Sequence, residues 1–153
     1  DIPAGDKETL AKTLFCFENP PGTKYVSGSQ DSLGIVLPGL NKLYYSGEYW
    51  PSNIEKKLDD DILSWLEQRL WLVPLYPRKD NYDVLADTNI IPTHAKSLAD
   101  AALNAWDAIL NQDANRLGTA MRDGFEAQIA MFPHMANEDI FEVLEQYKDK
   151  SLG

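Results

Sequence analysis

The sequence predicts an α+β fold in which antiparallel helices pack on a small, mainly antiparallel hairpin. Three observations predict it. Aromatic residues gather on both sides of Ser46-Gly47, the pattern of two short strands around a turn. Apolar residues recur at helical spacing from Pro92 onward, in stretches separated by turn residues. Between these regions, Asp59-Asp60-Asp61 precedes a third helical pattern, where acidic residues complement the dipole of a first turn. The chain has 153 residues, enough for one domain with a real core. The expected division is residues 1–58, holding a helix, a glycine-bearing loop and the hairpin, and residues 59–153, mainly helical.

Taken in order, residues 7–17 place Leu10, Leu14 and Phe17 at helical spacing, with Asp6 as N-cap. Pro20-Pro21 stops this helix, and Asn19-Pro20-Pro21-Gly22 makes a turn. Lys24-Tyr25-Val26 is a short strand candidate. Leu43-Tyr44-Tyr45 and Glu48-Tyr49-Trp50 are the expected hairpin strands, and Ile54 to Leu58 is a further strand candidate. Ile62, Leu63, Trp65, Leu66 and Leu70 follow the aspartates as a helical stripe. Trp71 to Leu75 reads as a buried strand, followed by a loop over residues 76–83. Pro92 suits a first helical turn, and Ala95, Leu98, Ala99, Ala102, Ala105, Trp106 and Ile109 form a stripe to about Leu110. The alanines in it let a neighbouring helix approach closely. The next helix runs from Asn115 to about Phe132 and ends at Pro133. Asn137 caps the last one, with Ile140, Val143, Leu144 and Tyr147 as its buried stripe.

Composition narrows the function. Hydrophobic residues make up 44% and charged residues 25%, ordinary values for a globular chain. A formal charge of −10 argues against nucleic acid and against an anionic membrane surface as partners. No stretch has the apolar length of a membrane span, and no signal-peptide pattern opens the chain. The single cysteine, Cys16, lies in Leu14-Phe15-Cys16-Phe17 and is expected to be a buried small hydrophobe. His94 and His134 stand in separate helix-boundary segments without zinc-ligand spacing. The tyrosines and Trp50 of the hairpin suit carbohydrate stacking, but aromatic pairs are also ordinary hairpin chemistry.

The chemistry-bearing stretch is Val26-Ser27-Gly28-Ser29-Gln30-Asp31-Ser32-Leu33-Gly34. It is expected to join a strand to a turn. It gathers one carboxylate, one amide and three hydroxyls, with glycines that allow a sharp bend and close approach to a ligand. If the turn after Glu18 folds back, Glu18 and Asp31 share a cleft, an arrangement suited to a cation or to a proton acceptor beside a metal ligand. Asp31 acting only as a loop or cap residue is the competing reading.

Gly28-Ser29-Gln30-Asp31-Ser32-Leu33-Gly34, followed by Pro38-Gly39-Leu40-Asn41, resembles the central motif of the GHMP small-molecule kinases, nearest to the sugar and heptose-phosphate kinase branches. The resemblance implies that Asp31 is the catalytic aspartate and Glu18 the magnesium-holding glutamate. It implies that Gly28, Ser29 and Gln30 shape the substrate wall, and that Arg78 and Lys79 reach an anionic substrate or phosphate. Mg²⁺ and ATP are the implied cofactors of the complete kinase, a sugar or sugar phosphate its substrate, and the cytoplasm its location. Ser32 departs from the pattern, standing where many members carry glutamine. The family's P-x-G-x-G-L-G-S-S nucleotide loop and late G-A-G-G-G loop are absent from these residues. The expectation is therefore a kinase fragment, inactive alone, that self-associates or meets a complementing chain; a first residue of Asp agrees with it. The alternative is a non-catalytic α+β module that binds carbohydrate or protein. Glycoside hydrolysis by paired carboxylates ranks last, because no acidic pair stands out.

Overall fold

The computed structural model describes residues 5–75, 77 and 82–153. The fold is α+β: among the described residues, six α-helices and one two-stranded antiparallel sheet follow one another as α1 (Lys7–Glu18), α2 (Gln30–Val36), β1 (Leu40–Tyr44), β2 (Asn53–Lys57), α3 (Asp60–Glu67), α4 (Pro92–Leu110), α5 (Ala114–Met131) and α6 (Glu138–Tyr147). The chain divides into two compact units, Asp1–Leu63 and Ser64–Gly153, so the division falls inside α3.

In the first unit, Asp6 caps α1 by accepting from the Thr9 hydroxyl at 2.6 Å and the Thr9 N–H at 2.9 Å. These bonds to the charged form, the hydroxyl's foremost, lower the Asp6 pKa. The cap is therefore fully effective above the ordinary aspartate range and fades as pH falls through the lowered value. Pro20 to Thr23 form the expected turn: Thr23 N–H donates to the Pro20 carbonyl at 3.1 Å, and Gly22 takes φ +93°. Proline then glycine at the two central positions is what a type II turn requires.

Lys24-Tyr25-Val26 forms no strand. The strands found among the described residues, β1 and β2, pair with each other, and the exit of this segment is fixed by a side chain instead, the Asn19 amide bonding to Ser27. The stretch from Ser27 is likewise not a strand-to-turn joint, because α2 begins at Gln30. The hairpin exists with a different register. Leu40 faces Lys57 and Tyr44 faces Asn53, so the Ile54 to Leu58 candidate, not Glu48-Tyr49-Trp50, supplies the second strand. Trp50 is drawn away to pack edge-on against Phe15, with ring centroids 6.0 Å apart, and Pro51 has no N–H for a ladder. The Ser52 N–H closes the intervening loop on the Tyr44 carbonyl at 2.7 Å.

The core of this unit is Ala11 from α1 with Leu33 and Leu37 at α2, bordered by Val36, Leu43, Trp50 and Ile54. The two helices thus lie on the hairpin through Ala11 and its neighbours. That placement overturns two expectations. Phe17 is exposed instead of completing the apolar stripe, and Cys16 is exposed instead of buried. One residue beyond Phe15 turns a side chain about 100° around the helix axis, off the packed face.

In the second unit, Trp65 is buried beneath the Arg69 guanidinium, 4.5 Å from the ring centroid. The Trp71 to Leu75 expectation also fails: the segment is irregular and open, with Trp71 86% and Leu72 100% exposed. β-propensity alone does not make a strand when no partner strand is supplied.

Helices α4 and α5 form a hairpin joined by Asn111, Gln112 and Asp113. Gln112 has φ +52°; its N–H donates to Ile109, and the Asp113 N–H donates to Ala108. This is the paired-carbonyl ending normally built around glycine. Asp113 then caps α5, accepting from the Arg116 N–H at 3.0 Å. Buried alanines at 101, 108, 120 and 127 bring the helices close, and a Cβ on Gly124 would lie 3.8 Å from that of Ala101. Trp106, Ile109, Leu117 and Met131 fill the remainder of this core. Replacing Gln112 with glycine is expected to raise stability by about 1 kcal/mol, the cost of a left-handed side-chain-bearing residue. Urea unfolding checks it.

Asn137 caps α6 as expected, accepting from the Ile140 N–H at 3.1 Å. The stripe is only partly covered: Ile140 and Val143 are half-buried, whereas Leu144 and Tyr147 are exposed. Its main aromatic contact is Phe141 edge-on to Phe125 at 6.3 Å.

Candidate functional site

The candidate site is assembled where the end of α1 meets the start of α2. The turn after Glu18 does fold back. Asn19 holds it closed: its side-chain oxygen accepts from the Ser27 N–H at 2.7 Å, and its amide donates to the Phe15 carbonyl at 2.9 Å and the Ser27 carbonyl at 3.4 Å. The backbone leaving Glu18 is thereby tied to the backbone entering the Gly28 to Asp31 stretch.

Glu18 lies exposed in the last turn of α1, a turn with no basic residue, and it has no hydrogen-bond or ion-pair partner among the described residues. A helix C-terminus presents the negative end of its dipole, so a cation is favoured there twice over. Magnesium commonly takes one or two carboxylates and completes its shell with phosphate and water. Glu18 fits that donor pattern. Among the described residues no group of three or more His, Cys, Asp or Glu is placed to hold a metal.

The start of α2 is anchored by two fully buried hydroxyls. Ser29 and Ser32 are both 0% exposed. Ser32 Oγ donates to the Ser29 carbonyl at 2.9 Å, and the Leu33 N–H donates to the same carbonyl at 3.0 Å. Ser29 Oγ lies 2.6 Å from the Tyr49 carbonyl and 2.9 Å from the Tyr45 hydroxyl. With one proton to give, Ser29 donates to Tyr49 and accepts from Tyr45. Its hydroxyl is therefore committed to the 45–52 loop. Ser29→Ala is expected to cost about 1–2 kcal/mol, because it removes the partner of the Tyr49 carbonyl in a partly buried bond and of the Tyr45 hydroxyl. A urea-unfolding midpoint equal to the parent's would refute that.

Gln30 is exposed and its amide folds over Gly28, where a Cβ would collide with it. Asp31 is exposed in the first turn of α2, again without a hydrogen-bond or ion-pair partner among the described residues. It is a free carboxylate on a fixed backbone. Arg78 and Lys79 lie outside the described residues. The structure thus ties Ser27, which leads into Gly28, Ser29, Gln30 and Asp31, to Asn19 at the end of α1, and shows no contact between Glu18 and Asp31 among the described residues.

The hairpin aromatics divide by role. The Tyr44 hydroxyl donates to Glu55 at 2.9 Å, and Trp50 packs between Phe15 and Lys12. Tyr45 holds Ser29. Tyr49 alone of this set keeps a ring without a partner among the described residues, 63% exposed. The sequence marks the hairpin tyrosines as candidates for carbohydrate stacking but does not show that Tyr45 and the Tyr49 carbonyl bond to Ser29. Asn19 is legible only as part of a turn.

Both histidines serve local structure. His94 Nδ1 lies 3.2 Å from the Asn89 carbonyl, and His134 Nε2 lies 3.1 Å from Asp87. A shallow groove on the α4–α5 hairpin is lined by His94, Asp100, Asp123 and Glu126 among others, and none of the expected site residues borders it.

No family model matches the chain, and neither a curated protein nor a solved structure matches it.

Proposed function

We propose that this chain carries the acceptor-side chemistry of an ATP-dependent small-molecule kinase of the GHMP type, acting on a hydroxyl of a sugar or sugar phosphate. The observation that carries the reading is Asp31: an unpaired, solvent-facing carboxylate on a helix whose start is locked by buried serine hydroxyls, within the motif that resembles the family's own. A general base needs a free carboxylate held in one place, because misplacement of the reacting group is costly.

In this reading Asp31 takes the proton of the attacking hydroxyl. Gly28 and Gln30 border the acceptor, and Ser29 acts indirectly by holding α2. Glu18 would hold the magnesium of the nucleotide, an ion that would neutralise phosphate oxygens. The nucleotide's phosphate loop is supplied by residues other than these 153. No helix among the described residues is long and apolar enough to cross a membrane; the cytoplasm is the location that goes with the kinase reading. The open apolar residues Trp71 and Leu72 support association with a second copy or a complementing chain.

The test is ATP consumption with a panel of monosaccharides and sugar 1-phosphates. The 153 residues alone are expected to turn over little or not at all, and the full-length protein to show acceptor-dependent turnover. Robust turnover by the 153 residues would overturn the missing-loop argument.

The exposed Tyr49 ring favours a second reading, a carbohydrate-binding module without catalysis. Trp50→Ala cannot separate the two, since Trp50 packs on the core border and its loss is expected to destabilise either protein. Asp31→Asn separates them: sugar binding without Asp31-dependent turnover selects the module.

A further inference from the structure

The loop between the two strands is fastened to the helix that carries Asp31. Ser29, immediately before α2, bonds to both Tyr45 and Tyr49 across sequence separations of 16 and 20 residues. An exposed aromatic on a slack loop is ordinary. Tyr49 differs, because its carbonyl is gripped by a buried hydroxyl two residues before an exposed carboxylate, and its ring stays in solvent. The neighbouring aromatic side chains are already engaged: Tyr44 with Glu55, Tyr45 with Ser29, Trp50 with Phe15.

Resting on the kinase reading, we propose that Tyr49 is a specificity-determining residue of the acceptor subsite. Its ring stacks on the apolar face of a pyranose whose hydroxyl is presented to Asp31, and Tyr45 is the positioning residue that ties the loop to α2. The chemistry suits a sugar. The C–H groups on one pyranose face carry partial positive charge and meet the negative face of an aromatic ring. The phenol hydroxyl of Tyr49, unpaired among the described residues, can give and accept a hydrogen bond at the ring's edge. A neutral ring also recognises a phosphorylated sugar without adding repulsion, which matters in a chain of charge −10.

The experiment is saturation-transfer NMR on the protein without ATP, using galactose, mannose, N-acetylglucosamine and their 1-phosphates as probes, followed by turnover assays with whichever binds. Tyr49→Ala is expected to weaken binding and raise KM about tenfold, with kcat nearly unchanged. Tyr49→Phe is expected to retain most of the binding, because the ring face is kept. Tyr45→Phe, which removes only the hydroxyl on Ser29, is expected to lower kcat more than it raises KM. Tyr49 is exposed, so the melting temperature of Tyr49→Ala should stay at the parent's. Parent-like binding by Tyr49→Ala, or no sugar of the panel binding at all, overturns the subsite. Tyr49-dependent binding with turnover that ignores Asp31→Asn supports the subsite and overturns the kinase reading.

Discussion

On the kinase proposal, Asp31→Asn is expected to lower acceptor-dependent phosphoryl transfer by about 10²–10⁴-fold, the usual contribution of a positioned general base. The amide keeps the shape of the carboxylate but cannot take the hydroxyl's proton. Because Asp31 is exposed and has no partner among the described residues, the substitution breaks no contact, and the melting temperature should not move. The assay is ATP consumption at saturating acceptor, read beside a thermal melt of the same sample. Loss of turnover with an unchanged melt is the signature of a chemical role. Parent-like kcat in the asparagine variant would remove Asp31 from the mechanism.

Gly39→Ala is expected to destabilise the first unit by about 2–4 kcal/mol, from a left-handed backbone and forced overpacking together. Gly39 has φ +73°, and a Cβ there would run into the Lys57 carbonyl and the Leu58 side chain. Lys57 faces Leu40 in the ladder, so Gly39 sits where the hairpin closes against its own far end. Relief would have to come from moving backbone, not a flexible side chain. Gly34 is the control. It lies inside α2 with nothing near its absent Cβ, and alanine there should stabilise the helix by about 0.5–1 kcal/mol. Urea unfolding of the two variants should move the midpoint in opposite directions. Equal midpoints would show that Gly39 is not constrained.

The helices that announced themselves were those with a local signal at the start. Asp6, Pro92 and Asn137 mark helix starts through chemistry that acts within a few residues, and the structure keeps all three in those roles. α2 was harder to read, because at seven residues it is too short for a period to emerge and it contains Gly34. Lys24-Tyr25-Val26 and Trp71 to Leu75 carry strand-forming residues, but a strand also needs a neighbour, and no local pattern says whether one is provided. The hairpin register failed for a related reason. Ser46-Gly47 looks like a tight turn, yet Trp50 gains more by packing on Phe15 than by extending the ladder.

The same distinction governs the site. Asp31 is legible because its surroundings are contiguous in the chain. Its support is not: Asn19 reaches Ser27 across 8 residues, and Ser29 reaches Tyr45 and Tyr49 across 16 and 20. Hydrogen bonds between distant residues leave no periodicity to detect. The second unit shows a mixed case. The stripe read along α4 holds at Trp106 and Ile109, but its alanines at 95, 99 and 102 are exposed; Ala101 and Ala108 are the buried alanines of α4, and α5 contributes Leu117, Ala120 and Ala127 to this core.

The bond between Asn19 and Ser27 isolates what lies between them. Both ends of that excursion are stapled together, so the exposed residues Lys24 and Tyr25, beyond the turn that Thr23 closes, can be extended or changed without shifting the helices on either side, since added slack raises closure entropy only slowly. Evolution, or an engineer grafting a tag or a recognition sequence, has a free port here that opens beside the candidate carboxylates while leaving their scaffold untouched.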